Sequence, residues 1–191
     1  MPKEAKKNAD IDIDTYKALP PEQAKAMILM FKHFARVCDK KDIKWYAQWG
    51  TLLGAIRNQP GGLIRWDDDI DIALDEPEYE KLRSNKVKDL LTRGAFETSG
   101  MTKQKWNDLG QKGKIPPQYR LKFVGQYCKL QDLKYIDSTD EASIWIDIFK
   151  TKDGVYPQKH IVAEGGNVTM DQLYPLRMVM YKGVGLIPCP N

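Results

Sequence analysis

Cysteine and histidine are scarce in this chain of 191 residues, which holds three of the first and two of the second. Cys38, Cys128 and Cys189 are scattered and form no CxxC, which excludes a disulfide framework and fits a reducing compartment. His33 and His160 lie far apart in sequence and offer no zinc spacing. No apolar run approaches the length that crosses a membrane. The N-terminus, MPKEAKKNADIDID, has no apolar core of the kind that marks a secretory signal. A cytoplasmic protein with no transmembrane segment is therefore expected, and the sequon Asn167-Val168-Thr169 is read as chance. A strong excess of one charge is also missing: the net charge is +4. The lysines between Lys103 and Lys122 read as a solvated loop rather than a basic face, so no nucleic-acid partner is expected.

What is present is enough apolar sequence for one core. Residues 1–15 read as a flexible lead-in and 16–191 as a single domain. Met27, Met30, Phe31, Phe34 and Val37 recur at helical spacing between Pro21 and Lys41, with Pro20 and Pro21 suited to a helix start. The stripe is read as core rather than a binding groove. Ile43 to Trp49 is β-like, Gly50-Thr51 breaks it, LLGAIRN reads as a short helix and QPGGL as a turn. The stretch IRWDDDIDIAL alternates polar and apolar from Asp67 and reads as a strand. After it, DEPEYEKLRSNKVKDLLTRG reads as one helix, with Asp75 as N-cap and Gly94 as stop. Gly100 to Pro117 reads as a loop, YRLKFVGQYCKLQDL as a hairpin, and SIWIDIFKT as an apolar strand. The tail holds a further helix or strand pair. Helices interleaved with strands indicate an α/β (α+β) domain with a mixed sheet.

Four aspartates, Asp67, Asp68, Asp69 and Asp71, stand within five residues beside Trp66, Ile70, Ile72 and Leu74, residue types that belong inside a protein. Strand residues alternate faces. Asp67, Asp69 and Asp71 would share one side if the strand is regular from Asp67, with Asp68 on the other parity. Two carboxylates about 6 Å apart repel by roughly 2–3 kcal/mol at an effective dielectric of about 20. Solvent, protons or a divalent cation would offset this, and hard oxygen ligands favour Mg²⁺ or Mn²⁺. An EF-hand is excluded, because position six of a loop starting at Asp67 is Ile72 where that loop needs glycine. Asp147, between Ile146 and Ile148, needs a partner if buried. It meets either the same metal from a neighbouring strand or a lysine or arginine. The Gly50-Thr51 turn before a helix makes an anion site. Arg57, Arg65 and, more weakly, Lys129 are candidates to reach phosphate oxygens.

A Gly-Thr turn, an apolar-Asp-apolar-Asp strand and a third Asp on a later strand resemble the nucleotidyltransferase superfamily. More narrowly, YAQWGTLLGAIRNQPGGLIRWDDDIDIAL resembles the LicD/fukutin family signature, Gly-Thr-Leu-Leu-Gly-x-x-Arg followed by Trp-Asp-x-Asp-x-Asp. The resemblance implies a nucleotidyltransferase-like mixed sheet flanked by helices. It also implies a Mg²⁺-dependent phosphotransferase that moves a phospho-alcohol, such as phosphocholine or ribitol phosphate, from a CDP-linked donor to a sugar hydroxyl. By position, Asp69 and Asp71 would be metal ligands and Asp147 the third carboxylate, as ligand or base. Asp67 would be a secondary ligand, Gly50 and Thr51 would line the donor phosphates, and Arg57 would contact phosphate. Two other readings stay open: a metal-dependent glycosyltransferase using a nucleotide sugar through Asp-x-Asp, and a non-catalytic metal- or glycan-binding module.

Overall fold

The computed structural model describes residues 17–58, 61–93, 117–152 and 170–190. The expected lead-in over residues 1–15, nearly all of the Gly100–Pro117 loop, His160 and the sequon lie outside the described residues.

The helical stripe near the N-terminus produces α1, Pro21–Lys41, opened by Pro20 and Pro21 and closed where Asp42 turns left-handed at φ 49°. Met27, Met30, Phe31, Phe34 and Val37 are all buried, as their spacing predicts. The chain then makes a short β1, Tyr46–Ala47, and enters α2, Trp49–Arg57. The strand is therefore shorter than Ile43–Trp49, and Gly50-Thr51 lies inside the first turn of the helix. The turn read from QPGGL has a packing reason at Gly61: a Cβ there would collide with the Ala55 and Met180 carbonyl oxygens.

Strand β2, Asp69–Asp75, follows. The expected single helix after it is two, α3 at Glu76–Lys81 and α4 at Asn85–Arg93. Asp75 occupies the N-cap position of α3 but makes no capping bond. Its carboxylate instead accepts from the Thr151 and Tyr174 hydroxyls, which ties the end of β2 to neighbouring elements. The hairpin appears as β3, Tyr119–Val124, and β4, Tyr127–Asp132, turning at Gly125 with φ 59°. Next come β5, Trp145–Thr151, and the short α5, Met170–Leu173. The tail resolves into a second hairpin, β6 at Arg177–Tyr181 and β7 at Gly185–Cys189.

Five strands form a mixed sheet in the order β1-β2-β5-β4-β3. Only β2 and β5 run parallel, with Ile70 opposite Ile146, Asp71 opposite Asp147 and Ile72 opposite Ile148. Strand alternation sends Ile70, Ile72, Leu74, Ile146 and Ile148 to one face, where all are fully buried. They share a core with the α1 stripe and with Leu130, Cys128 and Tyr119. Burying each large aliphatic side chain stabilises by about 1.5–3 kcal/mol, so this face anchors both strands. Trp66 departs from the expectation of burial and is exposed in the turn before β2. The three cysteines are buried and free, as their scatter predicts.

Candidate functional site

On the other face of β2 and β5 the register sets Asp71 beside Asp147, with Asp69 one step along beside Trp145. Carboxylate oxygens of Asp69, Asp71 and Asp147 all lie within 4.8 Å of one another. Asp67, Asp68 and Asp69 form a second such group. Strand alternation does not reach the first two acids: β2 is regular only from Asp69, and the exposed Asp68 brings an oxygen to Asp67 and Asp69, in the group that does not include Asp71 and Asp147.

Helix α2 closes the site from one end. At Trp49 the backbone takes φ 37°, a costly region for a bulky residue. From that turn the Gly50 N–H donates to the Asp71 carboxylate. A Cβ on Gly50 would collide with Asp67 Oδ2 and stand 3.4 Å from Asp71 Oδ2. The missing Cβ thus leaves room for the Asp67 carboxylate at the helix start, and a larger residue would force that side chain to shift. The Thr51 hydroxyl, buried, accepts from the Asp71 N–H at 2.8 Å. In this structure Gly50 and Thr51 hold the acidic strand, Gly50 through the Asp71 carboxylate and Thr51 through the Asp71 backbone N–H.

Asp147 is 9 % exposed. Its Oδ2 accepts from the Trp145 indole N–H at 2.8 Å. The Lys129 ammonium stands 3.5 Å from Oδ1 and 4.1 Å from the centre of the Trp145 ring. At that distance Lys129 is an ion-pair partner rather than a good hydrogen-bond donor, and Oδ1 is buried with no hydrogen bond among the described residues. Of the two partners foreseen for Asp147, the lysine is present as Lys129, and Asp147 also stands in one group with Asp69 and Asp71.

The electrostatics follow from crowding. Burial, then the charges of Asp67, Asp147 and Asp68, push the Asp69 carboxyl up to about 7. Burial, then Asp69, Asp147 and Asp67, push Asp71 up to about 8 against the pull of the Gly50 N–H. Asp67 is raised by burial and by Asp68, partly offset by a hydrogen bond with Asp69. Asp147 is raised by burial, opposed by the Trp145 N–H and Lys129. Such a cluster holds protons near neutral pH unless a cation replaces them.

The structure thus brings together Asp67, Asp69, Asp71, Asp147, Gly50, Thr51 and Lys129. Among the described residues, neither Arg57 nor Arg65 forms an ion pair with these acids. Arg57 ends α2, about 10 Å along the axis from Gly50 at 1.5 Å per residue. Arg65 is exposed in the turn before β2, where its carbonyl accepts from the Leu19 N–H. Sequence reasoning missed Trp145, whose role depends on an indole N–H reaching two residues along its own strand. It also missed an aromatic group beside the acids: Trp49 meets Phe149 edge-on at 4.7 Å, and Tyr127 stacks on Phe149 at 5.8 Å. Phe149 stands two residues beyond Asp147, so it shares its face.

A mixed sheet flanked by helices, with carboxylates converging from two parallel strands, defines an α/β domain with an acidic, oxygen-only candidate site. The family model described as LicD/FKTN/FKRP, nucleotidyltransferase domain, matches residues 42–191, and the chain belongs to this family. The chain is similar to the lipopolysaccharide cholinephosphotransferase LicD of Haemophilus influenzae, 37% identical over 60 residues, covering 31% of this chain and 22% of that protein. It is also similar to uncharacterized proteins of Rickettsia typhi, 31% identical over 77 residues, and Rickettsia prowazekii, 35% over 71 residues. Those matches cover 39% and 32% of this chain. Each matched segment spans only about a quarter of the curated relative, between 22% and 26% of its length. No helix among the described residues is long and apolar enough to cross a membrane.

Proposed function

We propose that the chain is a metal-dependent phosphotransferase, moving a phospho-alcohol from a CDP-linked donor to a carbohydrate hydroxyl. The observation that carries the reading is the convergence of Asp69, Asp71 and Asp147, with the buried Oδ1 of Asp147 lacking any hydrogen bond. The Lys129 ammonium, 3.5 Å from that oxygen, offsets only part of the charge of three crowded carboxylates; a further cation would offset the rest, and an all-oxygen donor set suits Mg²⁺ or Mn²⁺. Family membership and the similarity to a cholinephosphotransferase support the reaction class.

Asp69, Asp71 and Asp147 would hold the cation, with Asp67 as a further oxygen. When bound, the ion neutralises charge on the donor diphosphate. The acceptor hydroxyl attacks the phosphorus of the transferred group, a new O–P bond forms, the bond to CMP breaks with CMP leaving, and the hydroxyl proton passes to a carboxylate of the cluster, Asp147 being the candidate base. Protein side chains do this work by positioning and charge. Gly50 and Thr51 keep Asp71 in place, Lys129 adds positive charge at the edge of the cluster, and the Trp49–Phe149–Tyr127 group gives the donor or acceptor an apolar wall.

The test is product analysis with CDP-choline, CDP-ribitol, CDP-glycerol and nucleotide sugars, with and without Mg²⁺. Release of CMP that requires Mg²⁺ and disappears in Asp71→Asn supports the reading. Release of UDP or GDP from nucleotide sugars alone would replace it with the glycosyltransferase reading. No turnover or binding of any donor would leave the non-catalytic module.

A further inference from the structure

We propose that Trp145 is a positioning residue that sorts the two oxygens of Asp147, reserving Oδ1 for the cation. The inference rests on the metal-dependent reading above. Three observations converge on one side chain. The indole N–H, an obligate donor, lies 2.8 Å from Asp147 Oδ2. Oδ1 of the same carboxylate is left buried without a hydrogen bond among the described residues, and Asp147 offers a carboxylate oxygen within 4.8 Å of oxygens of Asp69 and Asp71. The face of the same indole carries the Lys129 ammonium at 4.1 Å from the ring centre, 3.5 Å from that Oδ1.

The register explains why one residue does all three things. Trp145 precedes Asp147 by two on β5, so both project to the acidic face. Lys129 on β4 pairs directly with Asp147, and Asp69 on β2 pairs with Trp145. The indole therefore sits within a square of Asp69, Asp147 and Lys129. A carboxylate free to rotate would turn both oxygens toward Lys129 and pair with it. With Oδ2 tied to the indole, one oxygen stays directed at the acids opposite. Hydrogen bonds of this kind to ligating groups orient them, and their removal typically costs 10–100-fold in metal affinity. Lys129 in turn is a competitor: its ammonium faces the oxygen that the cation needs, and the ring holds it at the edge of the cluster by cation–π attraction.

The experiment is Mn²⁺ titration of the full chain by electron paramagnetic resonance, on wild type, Trp145→Phe and Lys129→Met, with thermal unfolding in EDTA as the fold control. Phenylalanine keeps an aromatic face for Lys129 and removes only the N–H. Trp145→Phe should weaken Mn²⁺ binding by about tenfold or more, and Lys129→Met should tighten it several-fold by removing a like charge. A packing role alone would not give opposite signs at two touching residues. Wild-type affinity in Trp145→Phe overturns the proposal and leaves the metal reading standing. Weakened binding in Lys129→Met overturns the competitor role, and does so even if Trp145→Phe fails to fold. Absence of Mn²⁺ binding in wild type overturns both the proposal and the metal reading.

Discussion

Strands β2 and β5 present two faces that differ in almost every respect although they share one backbone. On one, Ile70, Ile72, Ile146 and Ile148 are fully buried under the α1 stripe. On the other, Asp69, Asp71 and Asp147 crowd within 4.8 Å and raise one another's proton affinity. The apolar face makes the strands rigid and stable. The acidic face uses that rigidity to keep like charges closer than they would stay on a mobile loop. Stability and site are thus separate functions of odd and even positions, and the two can be perturbed separately.

The largest expected effect comes from Asp71. Asp71→Asn should lower transfer by about a thousandfold or more, the loss of several kcal/mol of charge stabilisation, measured as CMP release. The same variant should not lower the unfolding temperature in EDTA, because without metal the Asp71 carboxyl is largely protonated near neutral pH and a neutral amide of similar size replaces it. On the opposite face, Ile72→Ala should cost about 2–5 kcal/mol of stability by opening a cavity. Its folded fraction should bind Mn²⁺ as wild type does, checked by urea unfolding and titration at low temperature. Gly50→Ala tests the seam between the faces. The new methyl collides with Asp67 Oδ2, so metal affinity should fall by about tenfold, with a stability loss of about 1–3 kcal/mol.

The last effect is on pH. Asp69 and Asp71 keep protons in the folded protein, up to about 7 and 8, that an unfolded chain releases near pH 4. Between those values the folded state binds more protons, so stability without metal should decline as pH rises from about 5 to 8. Saturating Mg²⁺ should flatten this decline, because it replaces the protons. Unfolding temperatures across that range, in EDTA and in Mg²⁺, read the difference.

Much of this was legible in the sequence for a simple reason: alternation and helical spacing are local. The α1 stripe, the β3–β4 hairpin and the partition of Asp69 and Asp71 from Ile70 and Ile72 all follow from period alone. What was not legible depends on long-range register or on turns. Asp147 announced itself as an isolated acid in an apolar run, but its place opposite Asp71 comes from the β2–β5 pairing. Trp145 gave no signal because nothing in SIWIDIFKT says where an indole N–H points. Gly50 was read as an exposed N–H for a phosphate, whereas its missing Cβ is also the space that Asp67 fills. Parity failed at Asp68 because β2 is irregular before Asp69. The break between α3 and α4 was hidden because Leu82 continues the apolar pattern across it and is fully buried.

The central claim is that the acidic face is a divalent-cation site. Calorimetric titration of Mn²⁺ at pH 7, repeated in buffers of different ionisation enthalpy, tests it most directly. Wild type should bind saturably with proton release, and Asp71→Asn should lose both. Equal binding by Asp71→Asn, or no binding to wild type, would contradict it.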